Sequence, residues 1–100
     1  MMNILVDNEY VRVTGLDGLG AGNCAEFKQR IKPLMTDACR VVEIDCAPIR
    51  FLDSDGLGAL ICIYKWIAPH NGKVRLGQPS PLVRQLLGRL RLDEIFELAP

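Results

Sequence analysis

Short apolar runs rich in β-branched residues alternate along this chain with stretches whose apolar residues recur every three to four positions, and that alternation restricts it to an α/β fold. Tyr10-Val11-Arg12-Val13-Thr14-Gly15-Leu16 has the composition of a strand, and Ile4-Leu5-Val6 predicts a shorter one before it. Gly18, Gly20 and Gly22 then predict a flexible loop. From Cys24 to Met35, Ala25, Phe27, Ile31, Leu34 and Met35 recur at near-helical spacing, so a first helix is expected there, kinked or ended by Pro33. Arg40 to Asp45, with Val41, Val42 and Ile44, reads as a central strand. Asp53-Ser54-Asp55-Gly56 supplies side-chain oxygens for the free N–H groups of a helix start, and Pro69-His70-Asn71-Gly72 stops that helix near Ala68. Lys73 to Leu76 is a further strand. Ser80-Pro81 caps a third helix with Leu82, Val83, Leu86, Leu87 and Leu90 on one face, and Ile95 to Leu98 forms a last short element. The order predicts one domain over residues 1–100, an α/β fold with a mixed four- or five-stranded sheet and helices packed against it. Phe27, Ile31, Val42, Ile44, Leu60, Tyr64, Val83 and Leu86 are the expected core.

Composition narrows the function. Twelve Lys plus Arg balance twelve Asp plus Glu, which gives no footprint for nucleic acid and no polybasic membrane anchor. The first residues have a short apolar run without a basic flank, unlike a signal peptide, and the longest apolar stretch, Leu57 to Tyr64, is far short of the ~20 residues of a membrane span. Cys24, Cys39, Cys46 and Cys62 lie 15, 7 and 16 residues apart with one His in the chain, so neither a metal site nor a disulfide framework is expected. Buried thiols in a reducing compartment, the cytoplasm, are the expectation. No cofactor is expected: Gly18-x-Gly20-x-Gly22 has Asn23 where a dinucleotide fingerprint requires glycine.

Ile44-Asp45-Cys46-Ala47-Pro48-Ile49-Arg50-Phe51-Leu52-Asp53-Ser54-Asp55-Gly56-Leu57-Gly58 resembles the STAS signature, in which a strand ending in Asp leads through a hydrophobic segment to Asp-Ser-Ser/Thr-Gly-Leu-Gly. Leu16-Asp17 resembles the family's Leu-Asp before the first helix. Pro79 to Leu87 and Leu92-Asp93-Glu94-Ile95-Phe96 are similar to its C-terminal helix and tail. The resemblance covers nearly the whole chain and implies a STAS domain acting as an anti-sigma factor antagonist, a binding protein and not an enzyme. The implied partner is an anti-sigma factor serine kinase with a histidine-kinase-like ATPase fold, with a serine phosphatase as a second partner in a partner-switching pathway. The family's phosphorylation-site position, the second Ser/Thr of the motif, is occupied here by Asp55, and Ser54 is a lesser candidate phosphoacceptor whose hydroxyl is more simply read as a helix cap. The implied contact residues are Asp17, Asp53, Ser54, Asp55 and Gly56. Other STAS settings are a subunit of a lipid-transport complex and a ligand-sensing module.

A phosphoserine carries about −1.5 to −2 charges and three acceptor oxygens, against one charge and two oxygens for Asp55, which makes Asp55 a partial phosphomimic or a non-switchable residue. Asp53-x-Asp55-Gly56 is also similar to the nucleophile motif of haloacid-dehalogenase-type phosphatases. That reading fares badly, because Leu57 replaces the motif's Thr or Val, no later acidic pair follows a strand, and the chain is short for that fold. On the second helix, Leu57, Leu60, Ile61, Tyr64 and Ala68 share the face expected to pack on the sheet. Asp55, Ala59, Cys62 and Trp66, with Ile63 beside them, share the opposite face and are the expected partner-binding stripe.

Overall fold

A computed structural model describes residues 2–100. Its strands, β1 (Asn3–Asp7), β2 (Tyr10–Thr14), β3 (Val41–Asp45), β4 (Lys73–Gly77) and β5 (Phe96–Ala99), form one five-stranded sheet in the order β1-β2-β3-β4-β5. β1 and β2 are an antiparallel hairpin, and β2, β3, β4 and β5 run parallel, so the sheet is mixed as expected. The crossovers carry α1 (Cys24–Ile31), α2 (Ser54–Ile67) and α3 (Pro81–Arg89). Because neighbouring parallel strands follow one another in sequence, right-handed crossovers place all three helices on one face.

Strand residues alternate accordingly. Val11, Val13, Val42, Ile44, Val74, Leu76 and Phe96 are buried under the helices. The other face carries charge. Arg12, Glu43, Arg75 and Glu97 stand directly opposite one another across four strands. Arg12 Nε lies 3.2 Å from Glu43, Arg75 Nη1 lies 3.5 Å from Glu43, and Arg75 Nε lies 2.6 Å from Glu97. Lys73 and Arg75 hold the Glu97 carboxyl below its ordinary pKa, by hydrogen bonding and by charge.

Local signals explain the helix ends. Pro33 falls in a 3₁₀ turn, Lys32–Leu34, that terminates α1. Ser80 accepts a hydrogen bond from Val83 N (3.2 Å) with Pro81 at the first helical position of α3. Phe27, Ile31, Val42, Ile44, Leu60 and Val83 are core residues. Two expectations need correction. Tyr64 is half-buried, its ring edge-on to Phe96 at 6.3 Å. Leu86 is half-buried as well; Val83 and Leu87, one turn apart, are the residues α3 turns inward, leaving Leu82 and Leu90 exposed. Five apolar residues on one short helix cover a wider arc than its contact with the sheet, so periodicity names the face but not its centre.

Cys39 and Cys46 are buried, and burial, followed by the charge of Asp45, pushes the Cys46 thiol up to about 12, which leaves it protonated and inert. No helix among the described residues is long and apolar enough to cross a membrane.

Candidate functional site

The signature residues converge where two loops meet the start of α2. Asp53 takes the N-cap with an extended backbone, and its Oδ1 accepts from Gly56 N at 2.9 Å. Its Oδ2 accepts from Ala21 N at 3.2 Å, across to the loop between β2 and α1. The two loops are also joined through their backbones: Arg50 N donates to Asp17 O (2.9 Å), Leu19 N to Phe51 O (3.2 Å) and Asp53 N to Leu19 O (3.4 Å). Asn23 closes the loop from the far side, accepting from Gly20 N (2.9 Å) and donating to Gly18 O (2.8 Å).

The glycine-rich segment expected to be flexible is thus pinned. A Cβ on Gly20 would lie 2.4 Å from Asp53 Oδ2, so glycine at that position permits close approach. Gly56 is tighter still: a Cβ there would lie 2.0 Å from the Leu19 carbonyl oxygen. Gly56 is therefore a packing residue, buried against backbone, and the expectation that it touches a partner is corrected.

The two N–H donors lower the Asp53 pKa below the carboxylate's usual value, the Gly56 bond most and the Ala21 bond next. A folded-state pKa below that of the unfolded chain means that the ionised group favours folding above pH 3.8 and ceases to as pH falls through the folded value. Thermal melts between pH 5 and pH 2 check this: the gap between the parent and Asp53→Asn, which keeps one acceptor oxygen but no charge, is expected to narrow as the solution is acidified. A constant gap would remove the charge from the account.

Ser54 and Asp55 begin α2, and both are exposed. The N-cap is Asp53, which leaves the Ser54 side chain outside the cap. Asp17 is exposed on the neighbouring loop and, with Ala47, Pro48, Arg50 and Phe51, lines an open groove of about 630 Å³.

Further along α2 the expected surface is corrected. Ala59 is 1% exposed and Ile63 0%, so neither reaches a partner. The helix buries Gly56, Ala59, Leu60, Ile63 and Ile67, and Leu57, Ile61 and Tyr64 are only half-buried. Relative to the expected orientation α2 is turned by roughly 100°, about one residue. The cause lies in its sequence, apolar on both flanks, and in Gly56 and Ala59, whose small size lets the helix approach Leu19 and α1 closely. Trp66 is half-covered, with Lys32 Nζ 5.5 Å above its ring, a cation–π contact from the end of α1. Asp55 and Lys65 are exposed, and half-buried Gly58 and Cys62 lie with them on the side of α2 away from Leu60 and Ile63, with Trp66 at the margin. Gly58 was missed by the helix-face argument; a Cβ there would meet nothing within 4 Å, so it leaves a flat spot one turn below Asp55. Phe51, within the signature's hydrophobic segment, is 55% exposed beside the groove, and nothing in its spacing marks it as a surface residue.

Among the described residues no cluster of three or more His, Cys, Asp or Glu could hold a metal ion. These features define a small α/β domain that presents one helix N-terminus, with an exposed acid, on a clamped pair of loops. The STAS domain family model matches residues 10–100, and the chain belongs to that family. Solved structures share the fold at low identity. The anti-sigma factor antagonist SpoIIAA in its unphosphorylated form is 20% identical with a TM-score of 0.84, over 100% of this chain and 89% of that one. An anti-sigma-factor antagonist (STAS) domain protein from Planctomyces limnophilus is 19% identical with a TM-score of 0.84, over 97% and 86%. The murine anion transporter Slc26a9 is 16% identical with a TM-score of 0.74, over 94% of this chain and 17% of the transporter.

Proposed function

We propose that this chain, a single domain over residues 1–100, is a cytoplasmic anti-sigma factor antagonist that binds a serine-kinase anti-sigma factor through the N-terminus of α2. The observation that carries the reading is the exposed Asp55 in the first turn of α2, at the signature's phosphorylation position, on loops clamped by Asp53. SpoIIAA, an anti-sigma factor antagonist of this fold, is described in both unphosphorylated and phosphorylated forms. The partner contacts assigned are Asp17, Asp53, Ser54 and Asp55 on the loops and helix start, then Gly58, Cys62 and Trp66 along the outward side of α2. The rise of a helix puts Trp66 about 16 Å from Asp55, a span suited to a protein surface and not to a small ligand. The domain works by binding, without catalysis of its own, and a serine phosphatase is a further partner only where Ser54 is phosphorylated. Asp55 carries a permanent negative charge where a phosphate would come and go, and so holds the switch in one partly inactivated state.

Affinity capture from the source cells followed by mass spectrometry tests the partner. Recovery of a histidine-kinase-like ATPase is expected; recovery of transporter subunits would move the assignment to a transport complex. Gly58→Arg and Trp66→Ala report on the surface. Loss of an interface aromatic typically costs ~2 kcal/mol or more, so captured kinase should fall at least about tenfold in each variant while the melting curves stay cooperative. Undiminished capture in both would place the contact elsewhere.

A further inference from the structure

We infer that β1 is a self-association edge, through which two copies of this chain pair antiparallel about Leu5. β1 is the outermost strand of the sheet beside β2. The Glu9 carbonyl accepts from Val41 N (3.2 Å), so Glu9, Val11 and Val13 aim their backbone groups at β3, while Tyr10, Arg12 and Thr14 aim theirs at β1. The residues opposite those three are Asp7, Leu5 and Asn3, which leaves the N–H and C=O groups of Ile4 and Val6 directed outward. Leu5 is 64% exposed and Val6 57%. Asn3–Asp7 contains no Lys and no Pro, two of the usual protections of an edge strand. The opposite edge differs, since Phe96 of β5 is buried and Leu98 half-buried.

The strand complements itself in one register. With the two-fold axis at Leu5, Ile4 exchanges both backbone hydrogen bonds with the partner's Val6, and Val6 does the same with the partner's Ile4. Leu5 then faces the partner's Leu5 at a closely spaced position on the sheet face away from the helices. Asn3 stands opposite the partner's Asp7, amide against carboxylate. Moving the centre to Ile4 puts Leu5 against asparagine, moving it to Val6 puts Leu5 against Asp7, and moving it to Asp7 opposes two carboxylates. Only the Leu5 centre matches each of Ile4, Leu5 and Val6 with an apolar residue. Ile4, Leu5 and Val6 lie outside the α2 site, so self-association is independent of the function proposed above.

A contact of one short strand falls well under about 1,000 Å², so a weak reversible dimer is expected. Sedimentation equilibrium on the full chain, in a concentration series up to about 1 mM, should fit a monomer–dimer equilibrium. Leu5→Lys, which opposes two ammonium groups at the axis, should weaken it about tenfold or more while the melt stays cooperative and falls by at most about 8 °C, since Leu5 also stands opposite Arg12 of β2, and Val6→Asp should weaken it likewise. Leu5→Cys should give a disulfide-linked dimer under mild oxidation above the background of the parent's own cysteines, whereas Val6→Cys, which faces Ile4, should not. A chain that stays monomeric throughout, association undiminished in both charge variants, or equal cross-linking of both cysteine variants would overturn the proposal.

Discussion

Ala59→Arg should abolish cooperative folding. Ala59 is 1% exposed on the side of α2 that also buries Leu60 and Ile63, where an arginine would have to leave its guanidinium without water or force α2 away from its neighbours. Removing a charge from water without a partner costs several kcal/mol even after relaxation. Single domains are stable by only about 5–15 kcal/mol, so most of the margin is lost. Circular dichroism melts check it: the parent should show one sharp transition and Ala59→Arg none, or one displaced far downward. Cys62→Arg, three residues on, half-buried and on the side of α2 away from Leu60 and Ile63, is the control and should melt close to the parent. A stable Ala59→Arg protein with weakened kinase binding would restore the orientation of α2 expected from sequence and refute the one described above.

The second large effect is expected at Gly56. An alanine Cβ would lie 2.0 Å from the Leu19 carbonyl oxygen. That oxygen cannot move freely, because Leu19 is bonded through its N–H to Phe51 and through its carbonyl to Asp53 N, and forms a parallel bridge with Leu52. Relief must come from parting the two loops or tilting the first turn of α2. Overpacking of this kind typically costs 1–3 kcal/mol, occasionally more, and alanine returns up to about 1 kcal/mol of helix propensity. A net loss of about 2 kcal/mol corresponds to a fall of roughly 10–15 °C in Tm for a domain of this size. Because the strain sits between the Asp17 loop and Asp55, partner affinity should fall along with stability. An unchanged Tm would mean that the loops are not clamped.

What the sequence disclosed and what it withheld follow from the range of the forces concerned. The first four strands, the Ser80-Pro81 cap, the stop at Pro69 to Gly72 and the signature at Asp53 to Gly58 rest on local chemistry, and each was legible without tertiary information, whereas Ile95 to Leu98 showed only as a short last element whose pairing with β4 makes it a strand. The orientation of α2 was not. Leu57, Ile61 and Tyr64 on one flank and Ala59, Ile63 and Trp66 on the other are similarly apolar, and the choice between them depends on the approach of Gly56 to a carbonyl thirty-seven residues earlier in the chain. Gly20 and Asn23 carried the same difficulty: a glycine-rich segment reads as flexible until the carboxylate of Asp53 is placed beside it. The Arg12, Glu43, Arg75 and Glu97 row was also hidden, since those residues become neighbours only once the strand order is known.

The central claim is that the N-terminus of α2 meets a kinase and that Asp55 fixes the switch there. A carboxylate pressed against a protein surface costs desolvation free energy unless a cation receives it. Binding of the parent, Asp55→Ser and Asp55→Asn to the captured kinase, measured by calorimetry and followed by incubation with ATP and magnesium, is the most direct test. The account predicts that both variants bind more tightly than the parent and that only Asp55→Ser acquires phosphate, at residue 55. Weaker binding by both variants would make Asp55 a native contact to a basic residue of the partner and contradict the phosphomimic account.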